Sequence, residues 1–243
     1  MTGHPGRTGW LGQWRYAHRG LHGPYILENS LAAARAAIAR GLGIECDIQL
    51  SADACAMVFH DWEMERLTAE AGPVRERSAA ELGTIAIAAG GEPIPTLAAL
   101  LAEVAGRVPL LIEVKSRREI PVAPICHAIS RVLADYRGLH AVMSFDPRVC
   151  RWFARHSRDT VRGMVVTQAN DRNIWSGMKL RLAFHAARAE FLAIDVLDLP
   201  SAFATSMRRS GFPVLCWTVR DQELAARAAC YADAPIAEGE GFS

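Results

Sequence analysis

The 243-residue sequence predicts an α/β protein of the (β/α)8 TIM-type barrel class, organised as a single domain over residues 1–243. Strand-like and helix-like stretches alternate along the chain in about eight repeats, and a barrel of this class commonly needs about 250 residues. Short polar clusters follow several of the apolar runs, and these barrels carry their functional groups at the carboxyl ends of the strands. A doubly wound open sheet is the competing architecture.

Strands are predicted where short apolar or β-branched runs lie between turn residues. Ile44–Leu50 and Ala56–Phe59 are close enough to pair through a turn at Ser51–Cys55. The predicted strands are Gln13–His18, Ile44–Leu50, Ala56–Phe59, Pro109–Val114, Ala141–Ser144, Val161–Thr167, Phe191–Val196, Pro213–Val219 and Tyr231–Ala237.

Helices are predicted where a capping residue precedes a helical pattern and a glycine or proline marks its limits. Ser30 and Gly41 suit the N-cap and the C′ position of the first helix, and Pro147 suits the first turn of another. The predicted helices are Ser30–Arg40, Ala79–Leu82, Thr96–Val104, Pro124–Tyr136, Pro147–His156, Ile174–Ala187, Ser201–Arg209 and Gln222–Ala229.

Three features depart from a regular barrel. Residues 1–14 form an N-terminal extension, and residues 62–95 are predicted to be a loop with a short helix. The sequence as given stops soon after the last strand, so we expect no full eighth outer helix. The N-terminal extension or a partner chain would then cover that flank.

Composition narrows the classes of partner. The formal net charge of +1 gives no electrostatic reason to expect nucleic acid or an anionic membrane as a partner. No apolar stretch approaches the ~20 residues of a spanning helix, so we expect no stable membrane insertion. The first 20 residues lack the pattern of a secretory signal, and six cysteines without a C-x-x-C pair are typical of reduced thiols. We therefore expect a cytoplasmic protein.

Two carboxylates lie on one predicted strand, and a third ends another. Glu45 and Asp47 occupy positions i and i+2, so their side chains point to the same face. Carboxylates so close repel unless a cation or a proton compensates them. Glu113 ends the strand Pro109–Val114 and can complete a site of three carboxylates, which suits Mg²⁺ or Ca²⁺. The alternative role for Glu45 or Asp47 is to cap a neighbouring helix or to form an ion pair with an arginine.

Basic side chains follow the same predicted strands. His18 and His60 come after separate strands, and such a pair suits one general acid and one general base flanking a phosphodiester. Which histidine takes which role stays open. Arg19 and Lys115 are candidate phosphate ligands, because arginine can bind two phosphate oxygens and lysine adds a point charge. The alternatives are that Arg19 forms an ion pair within the protein and that Lys115 lies at a solvent-exposed rim.

Five short motifs follow one another in a specific order, and together they resemble the glycerophosphodiester phosphodiesterase family from about Tyr16 to Ala237. The motifs are His18-Arg19-Gly20, Glu28-Asn29-Ser30, Glu45-Cys46-Asp47, His60-Asp61 and Glu113-Val114-Lys115. The resemblance implies a cation held by the three carboxylates, and catalysis by the two histidines. It further implies that Glu28 and Asn29 brace a loop or approach the metal, and that Trp217 lines the pocket. Asp61 either orients a histidine or starts a loop.

The expected activity is metal-dependent hydrolysis of a small-molecule glycerophosphodiester to glycerol 3-phosphate and an alcohol, within lipid and glycerol metabolism. The attacking oxygen is either water or a substrate hydroxyl. The alternatives are a phosphodiesterase directed at lysophospholipids and a barrel that binds a phosphorylated ligand without turnover. The alcohol leaving group, the preferred ion and the oligomeric state are not predicted.

Overall fold

A computed structural model of the protein describes residues 5–88, 91–167 and 174–243. The chain forms two compact units, one of Met1–His18 with Ala141–Ser243 and one of Arg19–His140. Strands alternate with helices in both, and the fold is of the TIM-type (β/α)8 class that the sequence predicts. A single domain, as inferred from the length, stays a prediction.

The strands are β1 Tyr16–Ala17, β2 Gly43–Leu50, β3 Ala56–Val58, β4 Leu110–Val114, β5 His140–Ser144, β6 Val161–Val166, β7 Phe191–Asp195, β8 Val214–Val219 and β9 Ala234–Ala237. The α-helices are α1 Pro5–Thr8, α2 Leu31–Ala39, α3 Ala79–Leu82, α4 Leu97–Val104, α5 Ala123–Leu133, α6 Pro147–His156, α7 Ile174–Ala187, α8 Ala202–Arg209 and α9 Gln222–Tyr231. Each predicted helix is therefore present, and so are the predicted strands apart from most of Gln13–His18, with ends that differ by a few residues.

In the Arg19–His140 unit, β2 is the central strand. It pairs in parallel with β4 and antiparallel with β3, through the predicted turn at Ser51–Cys55. The Ser51 hydroxyl accepts a hydrogen bond of 2.9 Å from the Cys55 N–H, which closes that turn. Helices α2 and α5 pack against β2, and this leaves the strand buried over nearly its whole length.

In the other unit, β1, β9, β8, β7, β6 and β5 pair in parallel in that order. An apolar core forms between these strands and the helices α6 to α9, and it includes Phe184, Leu192 and Phe203. Parallel strands that are buried on both faces have nearly continuous apolar sequences, which is why the sequence of Pro213–Val219 predicts a strand.

Side-chain caps begin several of the predicted helices. The Ser30 hydroxyl accepts the Ala33 N–H at the start of α2, and Thr96 caps α4 in the same way. At α3, Ser78 and Glu81 form a capping box, in which each side chain accepts a backbone N–H of the other residue. These caps satisfy N–H groups that have no partner within the helix.

The predicted strand Gln13–His18 is mostly wrong. Only Tyr16 and Ala17 form a strand, and a 3-10 helix occupies Gly9–Gln13. The Tyr16 hydroxyl donates to the Leu11 carbonyl at 3.1 Å, and both residues are fully buried. The extension therefore packs onto its own unit, because burial of the apolar Leu11 side chain is favourable.

The segment 62–95 contains the short helix α3, as predicted, and also an apolar cluster of its own. Phe59 contributes to this cluster from the end of β3. The segment's fully or almost fully buried members are Met64, Val74, Leu82, Ile87 and Ile94. These residues are widely spaced in the sequence, so no helical or strand period reveals them.

A 3-10 helix, Gly239–Phe242, follows the last strand. Arg15 contacts it by donating to the Gly241 carbonyl at 3.0 Å and lying over the Phe242 ring. In the part of the chain that the structure describes, no helix combines the length and the apolar character needed to cross a membrane.

Candidate active site

Three carboxylates of the Arg19–His140 unit converge on two neighbouring parallel strands, β2 and β4. The register of β2 and β4 places Asp47 opposite Glu113, with Glu45 two residues earlier on the same face. One oxygen from each of the three lies within 4.8 Å of the others. Glu45 and Asp47 are each only 2% exposed, so water cannot screen their repulsion.

Two basic side chains lie against this cluster. The Lys115 ammonium is 3.3 Å from Asp47 Oδ1 and 3.0 Å from Glu113 Oε1. Arg19 Nε is 3.5 Å from Asp47 Oδ2, and its Nη1 pairs with Glu28 at 2.7 Å. The structure thus brings the predicted metal ligands and the predicted phosphate ligands together.

Burial and the neighbouring charges shift the pKa values of the three carboxyl groups in different directions. Burial, reinforced by the other carboxylates, raises the pKa of Glu45 and of Glu113. Burial also opposes ionisation of Asp47, but Lys115, His60 and Arg19 outweigh it and hold the pKa of Asp47 below its usual value. The cluster therefore carries more negative charge than its basic partners neutralise once all three groups ionise.

The turn after β1 is shaped around Glu45. Arg19 has a left-handed φ of 57°, and its backbone N–H donates to Glu45 Oε2 at 2.9 Å. Gly20 also has a positive φ of 77°, and a Cβ there would lie 2.7 Å from the Ala33 Cβ. Only glycine fits both requirements, which explains the glycine of the His18-Arg19-Gly20 motif.

Asn29 holds Asp47 on two sides. Its amide nitrogen donates to Asp47 Oδ2 at 2.9 Å, and its amide oxygen accepts the Asp47 backbone N–H at 3.2 Å. Its own N–H donates to the Arg19 carbonyl at 2.8 Å, from a left-handed φ of 56°. Asn29 therefore braces the loop and orients an acidic residue, and Glu28 beside it orients Arg19.

His60 follows β3 and forms a pair with the next residue. Its Nδ1 lies 2.6 Å from Asp61 Oδ1, so Asp61 orients this histidine. Burial and the positive charges of Lys115 and Arg19 lower the pKa of His60, although Asp47 and Asp61 favour the charged ring. A cleft of about 490 Å³ opens here, and its lining includes His60, Asp61, Trp62, Arg66 and Lys115.

Two predicted residues belong to the other unit. His18 Nδ1 is 2.6 Å from Glu238 Oε2, and Glu238 also pairs with Arg220. Trp217, on β8, donates from its ring nitrogen to the Ala193 carbonyl and lies edge-on to Phe145. Each proposed catalytic histidine thus has a carboxylate on its Nδ1.

Sequence reasoning missed two residues that contact the predicted groups. Arg66 pairs with both Asp61 and Glu28, and Glu238 contacts His18. Arg66 had a weak signal, because it is the arginine that follows the His60-Asp61 motif at a short distance. Glu238 had none, since it is 220 residues away from its partner in sequence.

The carboxylate cluster fits a divalent cation. Its three ligands are all oxygens, as Mg²⁺ and Ca²⁺ prefer, and few protein ligands leave room for water or phosphate oxygens. The raised pKa values of Glu45 and Glu113 express an uncompensated negative charge that a cation would neutralise. The identity of the ion does not follow from these contacts.

Solved structures share this fold. One is an Oleispira antarctica phosphodiesterase in complex with the product sn-glycerol-3-phosphate, with a TM-score of 0.83, 22% identity and 94% of each chain covered. Another is a glycerophosphodiester phosphodiesterase from Thermotoga maritima, with a TM-score of 0.75, 24% identity, and 91% of this chain and 92% of that chain covered. At these identities, the likeness establishes that this chain has a fold of the TIM-type class.

The sequence identifies the family within this class. A family profile described as the glycerophosphoryl diester phosphodiesterase family matches residues 18–235. The chain is also 30% identical over 222 residues to YhdW of Bacillus subtilis (strain 168), whose name proposes a glycerophosphodiester phosphodiesterase, with 87% of this chain and 88% of that protein covered. The protein belongs to the glycerophosphoryl diester phosphodiesterase family and hydrolyses glycerophosphodiesters.

Proposed function

We propose that this protein is a metal-dependent hydrolase that converts small-molecule glycerophosphodiesters to glycerol 3-phosphate and an alcohol, with histidines as general acid and base. The observation that carries the proposal is the convergence of three carboxylates within 4.8 Å, two of them buried, next to Lys115 and Arg19. Family membership supports the substrate class. A similar phosphodiesterase was solved with glycerol 3-phosphate as its product, which supports a small-molecule substrate.

Glu45, Asp47 and Glu113 would hold the cation. When bound, a Mg²⁺ or Ca²⁺ ion supplies Lewis-acid stabilisation of charge on phosphate oxygens. Asn29 fixes the orientation of Asp47 through two hydrogen bonds: its amide nitrogen donates to the carboxylate, and its amide oxygen accepts the Asp47 backbone N–H. The Arg19 N–H does the same for Glu45.

Arg19 and Lys115 bind the phosphate of the substrate. Nε of Arg19 lies 3.5 Å from Asp47 Oδ2, which places the guanidinium charge beside the carboxylate cluster, where it can attract a phosphate. Glu28 holds Nη1 of the same guanidinium and fixes its plane. Lys115 adds a charge that does not depend on a bidentate geometry.

His60 and His18 transfer the protons. Asp61 accepts from Nδ1 of His60, which leaves Nε2 as the atom that exchanges a proton with the substrate. Glu238 can hold Nδ1 of His18 in the same way. One ring removes a proton from the attacking oxygen, and the other protonates the leaving alkoxide.

The six cysteines are all free, which supports a reducing, cytoplasmic location.

We expect His18→Ala and His60→Ala each to lower kcat by at least ~10²-fold, the usual scale for a general acid or base. Released glycerol 3-phosphate is measured on a panel of glycerophosphodiesters with Mg²⁺, Ca²⁺ and Mn²⁺. His127→Ala, at a histidine outside the proposed site, serves as the control and should retain activity.

Removal of the metal tests the other half of the proposal. EDTA should abolish turnover, and added Mg²⁺, Ca²⁺ or Mn²⁺ should restore it. Near-normal turnover by both histidine variants, or full activity in EDTA, would contradict the proposed mechanism.

A further inference from the structure

Arg66 contacts two carboxylates at once. Its guanidinium binds both oxygens of Glu28, with Nη2 2.7 Å from Oε1 and Nη1 3.1 Å from Oε2. It also binds both oxygens of Asp61, through Nε to Oδ2 and through Nη2 to Oδ1 at 3.0 Å. All three residues belong to the Arg19–His140 unit.

Each of these carboxylates contacts a group that the proposed reaction uses. Asp61 Oδ1 lies 2.6 Å from Nδ1 of His60. Glu28 Oε1 lies 2.7 Å from Nη1 of Arg19. Arg66 therefore connects, through one carboxylate on each side, a proton-transfer group with a phosphate-binding group.

We propose that Arg66 is a positioning residue, which fixes the His60 ring through Asp61 and the Arg19 guanidinium through Glu28. The inference rests on the proposed function and extends it to a residue outside the metal cluster. A planar guanidinium has five N–H donors in a fixed arrangement, so it can hold both carboxylates in defined orientations. A lysine ammonium at this position cannot form two such bidentate pairs.

The burial of the partners favours an orienting role. The Glu28 and Asp61 side chains are 13% and 22% exposed, whereas the Arg66 side chain that binds them is 47% exposed. Hydrogen bonds from Arg66 lower the pKa of Asp61 to about 2, and hydrogen bonds from Arg66 and Arg19 outweigh burial to lower that of Glu28. Both carboxylates thus stay ionised and able to accept throughout the neutral range.

The test is a set of steady-state measurements on Arg66→Met, Asp61→Asn, Glu28→Gln and their combinations. Arg66→Met should lower kcat/KM by ~10²-fold, the scale of a small misplacement of reacting groups. Asp61→Asn should act mainly on kcat and Glu28→Gln mainly on KM, because they orient different groups. In the Asp61→Asn, Glu28→Gln background, adding Arg66→Met should change kcat/KM by less than about threefold, because both carboxylates through which Arg66 acts have already been replaced.

Two further variants control for charge and for fold. Arg66→Lys should recover only part of the lost activity. Arg77→Gln removes an exposed arginine of the same segment, which pairs with Glu70 at 3.7 Å, and should leave kcat/KM unchanged. Thermal midpoints of all variants separate loss of folded protein from loss of turnover.

The inference is overturned if Arg66→Met stays within threefold of the wild type. It is equally overturned if Arg66→Met costs the same factor in the double-variant background, because a merely structural role is additive there. Wild-type protein that hydrolyses no diester of the panel would contradict the proposed function itself, which keeps the two failures apart.

Discussion

Glu45 and Asp47 have the same burial but different partners. Asp47 contacts the side chains of Lys115, Arg19 and Asn29, whereas Glu45 accepts a hydrogen bond from a backbone N–H. A buried carboxylate without a cationic partner is costly to ionise. At the scale of single residues, Glu45 is therefore where a bound cation would relieve the most unfavourable charge.

The pH dependence of stability follows from the raised pKa of Glu45, which burial and the neighbouring carboxylates cause. The folded state keeps a proton on Glu45 that the unfolded state releases, so the contribution of this group to stability is fully present below the ordinary carboxyl pKa. That contribution is lost as the pH rises through the raised folded value.

We expect Glu45→Gln to stabilise the metal-free protein by ~1 kcal/mol or more at pH 8, since glutamine cannot ionise. The gain should shrink toward pH 4. Unfolding in EDTA at several pH values measures it, and each kcal/mol corresponds to about 2–4 °C in Tm for a chain of this size.

The control for this variant is Glu119→Gln, at an exposed position, which should change stability little. Addition of Mg²⁺ or Ca²⁺ should raise Tm in the wild type and in Glu119→Gln, but much less in Glu45→Gln. A metal-free Glu45→Gln that unfolds more easily than the wild type at pH 8 would show that the Glu45 charge is no net cost.

At the scale of elements, the segment 62–95 is a packed structure rather than an open loop. Its apolar cluster includes Leu82 of α3 and extends in sequence to Ile94. Met64 is fully buried in this cluster and stands between Asp61 and Arg66 in sequence. The cluster therefore supports the backbone from which Arg66 reaches its two carboxylates.

Leu82→Ala should test this support. Leu82 is fully buried in the cluster, so truncation should cost about 2–5 kcal/mol in the free energy of unfolding. Urea denaturation measures the loss. Leu182→Ala on α7 is the matched control, because that leucine is 66% exposed and should cost less than ~0.5 kcal/mol. Equal stability of the two variants would mean that the cluster is not tightly packed.

Features set by local periodicity were predictable, and features set by distant contacts were not. Alternation along β2 places Glu45 and Asp47 on one face, and the end of an apolar run marks Glu113. Arg66 and Glu28 are 38 residues apart, and His18 and Glu238 are 220 apart. No short-range pattern in the sequence encodes such pairs. The same holds for the cluster in 62–95, whose members follow no period.

At the scale of the whole molecule, the proposed site residues are divided between the two compact units. The unit Arg19–His140 holds the carboxylate cluster, Arg19, Lys115 and His60. His18 and Trp217 belong to the other unit, and the boundary falls within the His18-Arg19-Gly20 motif. The proposed cation ligands are therefore all in one unit, and the effect of the cation should begin there.

Hydrogen exchange followed by mass spectrometry should show this distribution. With Mg²⁺ or Ca²⁺, peptides that cover β2 and β4 should exchange more slowly than in EDTA, because binding suppresses the local openings that expose the carboxylates. Peptides that cover β6 and β8 should change little at short exchange times, since they contribute no proposed ligand. Glu45→Gln should remove most of the protection while leaving the pattern in EDTA intact. Protection of equal size in peptides from both units would contradict a cation site confined to β2 and β4.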